Sequence, residues 1–204
     1  MFLYIILGGY KMGRNKTRAE IIEAAMSLFA NKGYHETTMN DVVKASNTSK
    51  GTLYYYFDNK QELFETMIND VISKLYNNFE EIADKDFSVR DKLKKMIEVH
   101  ANFYKKNYKL AFSIFMEGKK IDTDCKEEIW RWHKKFNSLV EGVMSDGVEE
   151  GLLKDKNLKL MAFSFLGLTN SFGPSVFEGD YEVEELVDYT YELFLEGVGK
   201  DSEN

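Results

Sequence analysis

Between Met39 and Phe57 the chain reads MNDVVKASNTSKGTLYYYF, two short apolar stripes of helical spacing with only a few polar residues between them. Met39, Val42, Val43 and Ser46 share a face of the first, and Leu53 and Phe57 share a face of the second. Asn47 lies in the gap and tolerates positive φ, so the chain can turn tightly there. Ser49 is placed to cap the helix expected over 50–57. Upstream, Ile22, Ala25, Met26 and Phe29 recur at i, i+3, i+4 and i+7, and Gly33 stands where a left-handed C-terminal cap would sit. Thr38 and Asp41 have capping-box spacing, as do Asn59 and Glu62, which open a long fourth helix. Helix, short helix, tight turn, short helix is the order of a helix-turn-helix.

The second short helix carries an unusual outer face. With Leu53 at the centre of the buried side, Phe57 falls about 40° away and Tyr55 about 200° away. Gly51 lies beside Tyr55, Thr52 and Tyr54 flank it, and Tyr56 is expected to be half-buried. Such a ridge suits a major groove. Gly51 permits close approach, and Thr52 can meet a base edge or a thymine methyl. Tyrosine hydroxyls reach phosphate oxygens and fix register. Lys50 and Lys60 are expected to supply phosphate charge. Lys60 stands in the first turn of its helix, where a cation opposes the helix dipole and a phosphate would offset that cost. Charge distribution agrees. Residues 1–60 hold eight Lys/Arg against five Asp/Glu, a surplus of three positive charges on a chain whose net charge is −7. A basic head on an acidic body is compatible with a polyanion partner.

The segment TTMNDVVKASNTSKGTLYYYFDNKQELF, preceded by a first helix and "GY", resembles the DNA-binding segment of the TetR/AcrR family of transcriptional regulators from about Asn15 through Phe64. The family usually carries glycine where Asn47 stands. The resemblance implies DNA contact at Thr38, Ser49, Lys50, Gly51, Thr52, Tyr54, Tyr55 and Lys60. It also implies a homodimeric repressor whose C-terminal helices bind a small-molecule inducer.

The remainder is patterned as helices throughout, in keeping with a single proline, Pro174. One stripe runs Leu93, Met96, Ile97, His100 and Tyr104, followed by a short aromatic segment with Tyr108, Phe112, Phe115 and Met116. Others run Ile129, Trp132, His133, Phe136, Val140 and Val143; Leu158, Met161, Ala162, Phe165, Thr169 and Phe172; and Val183, Leu186, Val187, Thr190, Phe194 and Gly197. Gly173-Pro174 stops the third of these. Leu160, Phe163 and Gly167 lie off its main stripe, and a helix apolar nearly all round must be covered on both sides. Its second side is either intramolecular core or, as the resemblance implies, a dimer interface through about 158–172 and 183–198. The rings of Phe103, Tyr104, Phe112, Phe115, Trp132, Phe136 and Phe165 are either ordinary core or the lining of an apolar ligand cavity. His100 and His133 fall on apolar stripes as core histidines or, with Asn170, as the polar contacts of that cavity. The inducer would then be mainly apolar or aromatic.

Enzyme chemistry finds no residue set: no Cys/His group has zinc spacing, and there is no phosphate loop or nucleophile elbow. No metal or cofactor is expected. The lone Cys125 allows no internal disulfide, which fits a reducing compartment. FLYIIL near the N-terminus is far short of the ~20 residues of a membrane span and lacks the flanks of a signal peptide. The expected organisation is all-α and cytoplasmic: residues 1–12 as a disordered extension, 13–60 as the helix-turn-helix head, and 61–204 as the ligand-binding and dimerisation body. The competing reading is a helical ligand-binding or protein-interaction module without DNA binding.

Overall fold

The computed structural model describes residues 15–117, 123–171 and 181–200, with side chains described from residue 16 and outside 108–126. Expectations for the N-terminal extension, Phe112, Phe115, Cys125, Phe172 and Gly173-Pro174 therefore lie outside the described residues. The described residues form α-helices α1 (Asn15–Lys32), α2 (Met39–Ala45), α3 (Lys50–Tyr56), α4 (Lys60–Asp84), α5 (Val89–Glu117), α6 (Thr123–Glu149), α7 (Leu158–Asn170) and α8 (Val183–Val198). An isolated antiparallel bridge joins Leu153 to Gly199. The fold is all-α, as the patterning predicts. The chain divides into two compact units, Met1–Asn69 and Asp70–Asn204, with the division inside α4.

In the first unit, Ile21, Ala25, Phe29, Val42, Leu53, Phe57, Leu63, Phe64 and Met67 are buried. The ring of Phe29 meets Phe64 edge-on at 5.4 Å, and Tyr34 lies tilted against both. Local chemistry sets the helix ends. Gly33 adopts φ 88° after α1, and its N–H donates to the Phe29 carbonyl. Thr38 and Asp41 form the reciprocal capping box at α2. Asn47 adopts φ 53° in the turn between α2 and α3. The Ser49 hydroxyl caps α3 by accepting from the Thr52 N–H at 3.0 Å.

The second unit packs α5 to α8 with the end of α4 around Phe79, Leu93, Met96, Ile97, Val140, Met144, Met161, Phe165 and Phe194. Each such side chain contributes roughly 1.5–3 kcal/mol of burial. The helical path of α5 breaks at Asn107 (φ −114°, ψ 17°), whose side-chain amide donates to the Phe103 carbonyl at 2.9 Å. A polar side chain competing for a helix carbonyl favours such a break, and it falls between the two stripes that the sequence separates.

Gly147 on α6 is a steric requirement of this core. A Cβ there would come within 2.7 Å of Leu153 Cδ1 and 3.1 Å of Val89 Cγ1. Overpacking of this kind costs about 1–3 kcal/mol. Gly147→Ala is expected to lower the body's stability by that amount in urea unfolding followed by tryptophan fluorescence. Trp130 and Trp132 both lie on α6 and report on this unit. An unchanged midpoint would show that Leu153 yields freely.

Candidate functional site

The faces of α3 divide as the helical geometry requires. Leu53 is 0% exposed and Phe57, the residue that closes the helix, 2%. On the far side Tyr55 is 76% exposed and Tyr54 42%. Lys50 and Gly51 are exposed, Thr52 and Tyr56 half-buried. Beyond Gly51 there is open space apart from the Ser49 hydroxyl, 3.8 Å from where a Cβ would stand. Tyr55 meets Tyr56 edge-on at 5.1 Å, which stiffens the outermost ring from one side. Lys50 Nζ lies 5.9 Å from the Tyr54 ring centroid. The Thr52 and Ser49 hydroxyls are 2.8 Å apart, so the two oxygens share one proton between them and the other hydroxyl hydrogen is available to an acceptor.

Thr38 is exposed at the start of α2. Its hydroxyl oxygen accepts from the Asp41 N–H at 3.1 Å. Asp41 returns the contact by accepting from the Thr38 N–H at 2.9 Å and pairs with Lys32 at 2.8 Å. Lys32, and then the Thr38 backbone and hydroxyl, hold the Asp41 carboxyl well below the usual carboxylate range. The box is thus charged at neutral pH.

The Lys60 ammonium is engaged within the head. It donates to the carbonyls of Tyr34 (2.8 Å), His35 (3.3 Å) and Thr37 (2.9 Å), and lies 4.3 Å from the Tyr34 ring centroid. The unfavourable end of the α4 dipole is offset by carbonyl oxygens of the same head. Sequence spacing cannot show this, because the partners are main-chain atoms more than twenty residues away.

In the body, His100 is 5% exposed. Its Nδ1 lies 2.7 Å from Thr169 Oγ1, and that hydroxyl donates to the Leu166 carbonyl at 3.1 Å. A hydroxyl has one proton, so Thr169 must accept from His100, which places the imidazole hydrogen on Nδ1 and leaves Nε2 as an acceptor. Burial pushes the His100 pKa down to about 4. Tyr104 stacks on the imidazole at 5.1 Å, and its hydroxyl donates to Asn170 Oδ1 at 3.0 Å. Burial raises the phenol's pKa. Phe103 is half-buried beside them, 5.9 Å from Tyr104 and 6.5 Å from His100.

A train of rings leads away from this pair. Phe79 meets His100 edge-on at 5.8 Å; Phe136 meets both Phe79 and Tyr76 at 5.3 Å; Tyr76 meets Trp132 at 5.6 Å. The structure therefore gathers His100, Phe103, Tyr104, Asn170, Phe136 and Trp132. Tyr76 and Phe79 join them from α4, members that their i, i+3 spacing on one helix face could have nominated. Two predicted members stand apart. Phe165 is fully buried and turns to Phe194 at 5.3 Å, as core between α7 and α8. His133 is exposed and neighbours Trp130 on the surface of α6. None of the described side chains from 127 to 135 is buried, so the α6 stripe continues past the stretch that the core covers.

No group of His, Cys, Asp and Glu among the described residues could hold a metal ion. No helix among the described residues is long and apolar enough to cross a membrane. A capped helix-turn-helix with an exposed, anchored second helix, followed by a helical body, defines a DNA-binding regulator. The family models agree. That of bacterial regulatory proteins of the tetR family matches residues 21–67, and that of the tetracyclin repressor-like C-terminal domain matches residues 86–198. The chain belongs to the TetR family of transcriptional regulators.

Among curated relatives, the HTH-type transcriptional regulator YhgD of Bacillus subtilis is 30% identical over 149 residues, covering 72% of this chain and 78% of that one. The fatty acid metabolism regulator protein of the same organism is 23% identical over 136 residues, covering 67% and 70%. A solved structure of FadR from Bacillus subtilis in complex with stearoyl-CoA shares the fold with a TM-score of 0.77 at 20% identity, covering 88% of this chain and 98% of that one.

Proposed function

We propose that the protein is a repressor that binds a near-palindromic operator as a homodimer and is released by a mainly apolar small molecule. The observation that carries DNA binding is the α3 ridge, where Gly51, Tyr54 and Tyr55 face solvent while Leu53 and Phe57 hold it from behind. Thr52 and Gly51 meet base edges, and Lys50, Tyr54, Tyr55, Ser49 and Thr38 fix the backbone. Two heads of a dimer read half-sites about 34–36 Å apart or a multiple of that. A gel shift with the DNA upstream of the protein's own gene, against random competitor, tests this. Equal affinity for both DNAs would favour a helical module that no longer reads an operator.

The dimer is assigned to α7 and α8. Leu160 and Phe163 are 65% and 64% exposed, and Gly167 beside them is exposed. On α8, Tyr189 and Leu193 are 66% and 41% exposed. So much apolar area on two helices is what an interface requires. Light scattering at micromolar concentration is expected to give a dimer, and the double change Leu160→Asp, Phe163→Asp a folded monomer. A monomeric wild type would remove the interface.

The inducer reading rests on the half-buried rings of the body together with the relatives. One is named a regulator of fatty acid metabolism, and one shares the fold and holds stearoyl-CoA. Long-chain acyl compounds are therefore the first class to test, as fatty acids and as CoA thioesters, by thermal shift and by release from DNA. A ligand that favours another tilt of α4 would move the heads out of register, and linkage then requires that DNA weaken its binding equally.

A further inference from the structure

The loop between α1 and α2 is built around a cation. The carbonyls of Tyr34, His35 and Thr37 converge on the Lys60 ammonium. Thr37 is 1% exposed, and its hydroxyl donates to the Gly33 carbonyl at 2.7 Å, so its own carbonyl has little freedom to turn away. The Tyr34 ring, wedged against Phe29 and Phe64, forms a wall of the same nest, 4.3 Å from Nζ. An ammonium carries three N–H groups in a tetrahedral array, which matches three convergent carbonyls; a planar guanidinium does not. Thr38, the residue after the nest, caps α2.

We propose that Lys60 is a positioning residue of the head. It clasps the Tyr34–Thr37 turn to the first turn of α4, and thereby sets Thr38 and the start of α2 relative to the helix that continues out of the head. It does not serve as a phosphate anchor. The consequence is that α1, α2 and the first turn of α4 move as one piece, so a displacement of α4 reaches the start of α2 without being absorbed in the loop. The part concerning operator affinity rests on the DNA-binding reading above; the clasp itself does not.

The test uses the full-length protein as wild type, Lys60→Met, which keeps the aliphatic stem, and Lys60→Arg, which keeps the charge. Without DNA, both variants are expected to melt about 5 °C lower and to be cut faster by protease in the 33–38 turn. With DNA, at a temperature where circular dichroism shows both folded, operator affinity is expected to fall about tenfold while random-DNA affinity changes little. The slope of log K against log salt stays at the wild-type value. A phosphate anchor gives the opposite result: the Met variant loses about 0.9 of slope per head, the Arg variant keeps wild-type affinity, and neither melts lower. A slope reduced by that amount in the Met variant, or unchanged melting in both variants, overturns the clasp. Should Lys60→Met fail to fold without DNA, that supports the clasp, because a side chain whose only partner is DNA does not stabilise the free protein. If wild type does not distinguish operator from random DNA, the function reading fails, while melting and proteolysis still decide the clasp.

Discussion

Leu53→Ala is expected to destabilise the head severely and weaken operator binding with it, whereas Tyr55→Ala, two residues away, is expected to weaken binding about a hundredfold or more and leave the fold intact. Leu53 is 0% exposed at the centre of the first unit's core. A buried Leu→Ala change costs about 2–5 kcal/mol. A small domain has only about 5–15 kcal/mol in all, and here Leu53 is the buried residue by which the seven-residue α3 joins a core built mainly from α1 and the start of α4. The loss is therefore a large part of what holds the head together. Tyr55 is 76% exposed, and its ring contact is with its neighbour Tyr56. Removing it changes stability by no more than about 0.5 kcal/mol, as for other surface positions. A hydrogen bond to a charged group contributes about 1.5–3 kcal/mol, and each 1.4 kcal/mol is about tenfold in affinity. A symmetric dimer loses the contact twice, so a drop of about a hundredfold or more is expected. Thermal melts and fluorescence anisotropy on labelled operator separate the two variants. If Tyr55→Ala melts as low as Leu53→Ala, the ridge is packed inward and the DNA assignment falls.

That contrast was legible in the sequence because both facts are local. A seven-residue helix with known caps has one rotation that buries Leu53 and Phe57, and the exposure of Tyr55 follows. The same holds for Gly33, Asn47 and the Thr38–Asp41 box, where conformation and hydrogen bonds are set by residues within a turn of one another. The partners of Lys60 were not legible, because they are carbonyls of the α1–α2 loop. A carbonyl has no sequence signature, and only the folded path of the chain brings three of them to one point. The exposure of His133 was hidden for a different reason. Periodicity shows which side of a helix is apolar but not how far along the helix a neighbour covers it, and the body's core stops covering α6 short of that residue. Phe165 and Phe136 look alike as ring positions on apolar stripes. Only packing shows that one faces α8 and the other faces α4.

His100 makes the body's stability depend on pH in a window that can be stated in advance. Burial lowers its pKa in the folded protein to about 4 from the ordinary value of 6.5. Above pH 6.5 the imidazole is neutral in both folded and unfolded chains and contributes no pH dependence. As pH falls through 6.5 the unfolded chain takes up a proton that the native state refuses, so the unfolded state binds more protons and native stability declines. The decline from this group ends near pH 4, where the native imidazole also becomes charged. With about 1.36 kcal/mol per pKa unit, the total is about 3 kcal/mol, comparable to losing a buried side chain. Urea unfolding followed through Trp130 and Trp132 at pH 7 and at pH 4 should show that loss in the wild type. His100→Gln is expected to be less stable at pH 7, because the Thr169 hydroxyl loses the imidazole N–H it accepts, yet its loss between the two pH values should be about 3 kcal/mol smaller than that of the wild type. Equal losses in the two proteins would mean that the native imidazole takes its proton near the ordinary pH. The His100 ring would then have to reach water in the folded state, and it could no longer be counted as the neutral, buried end of the ring train that leads through Phe79 and Phe136 to Trp132.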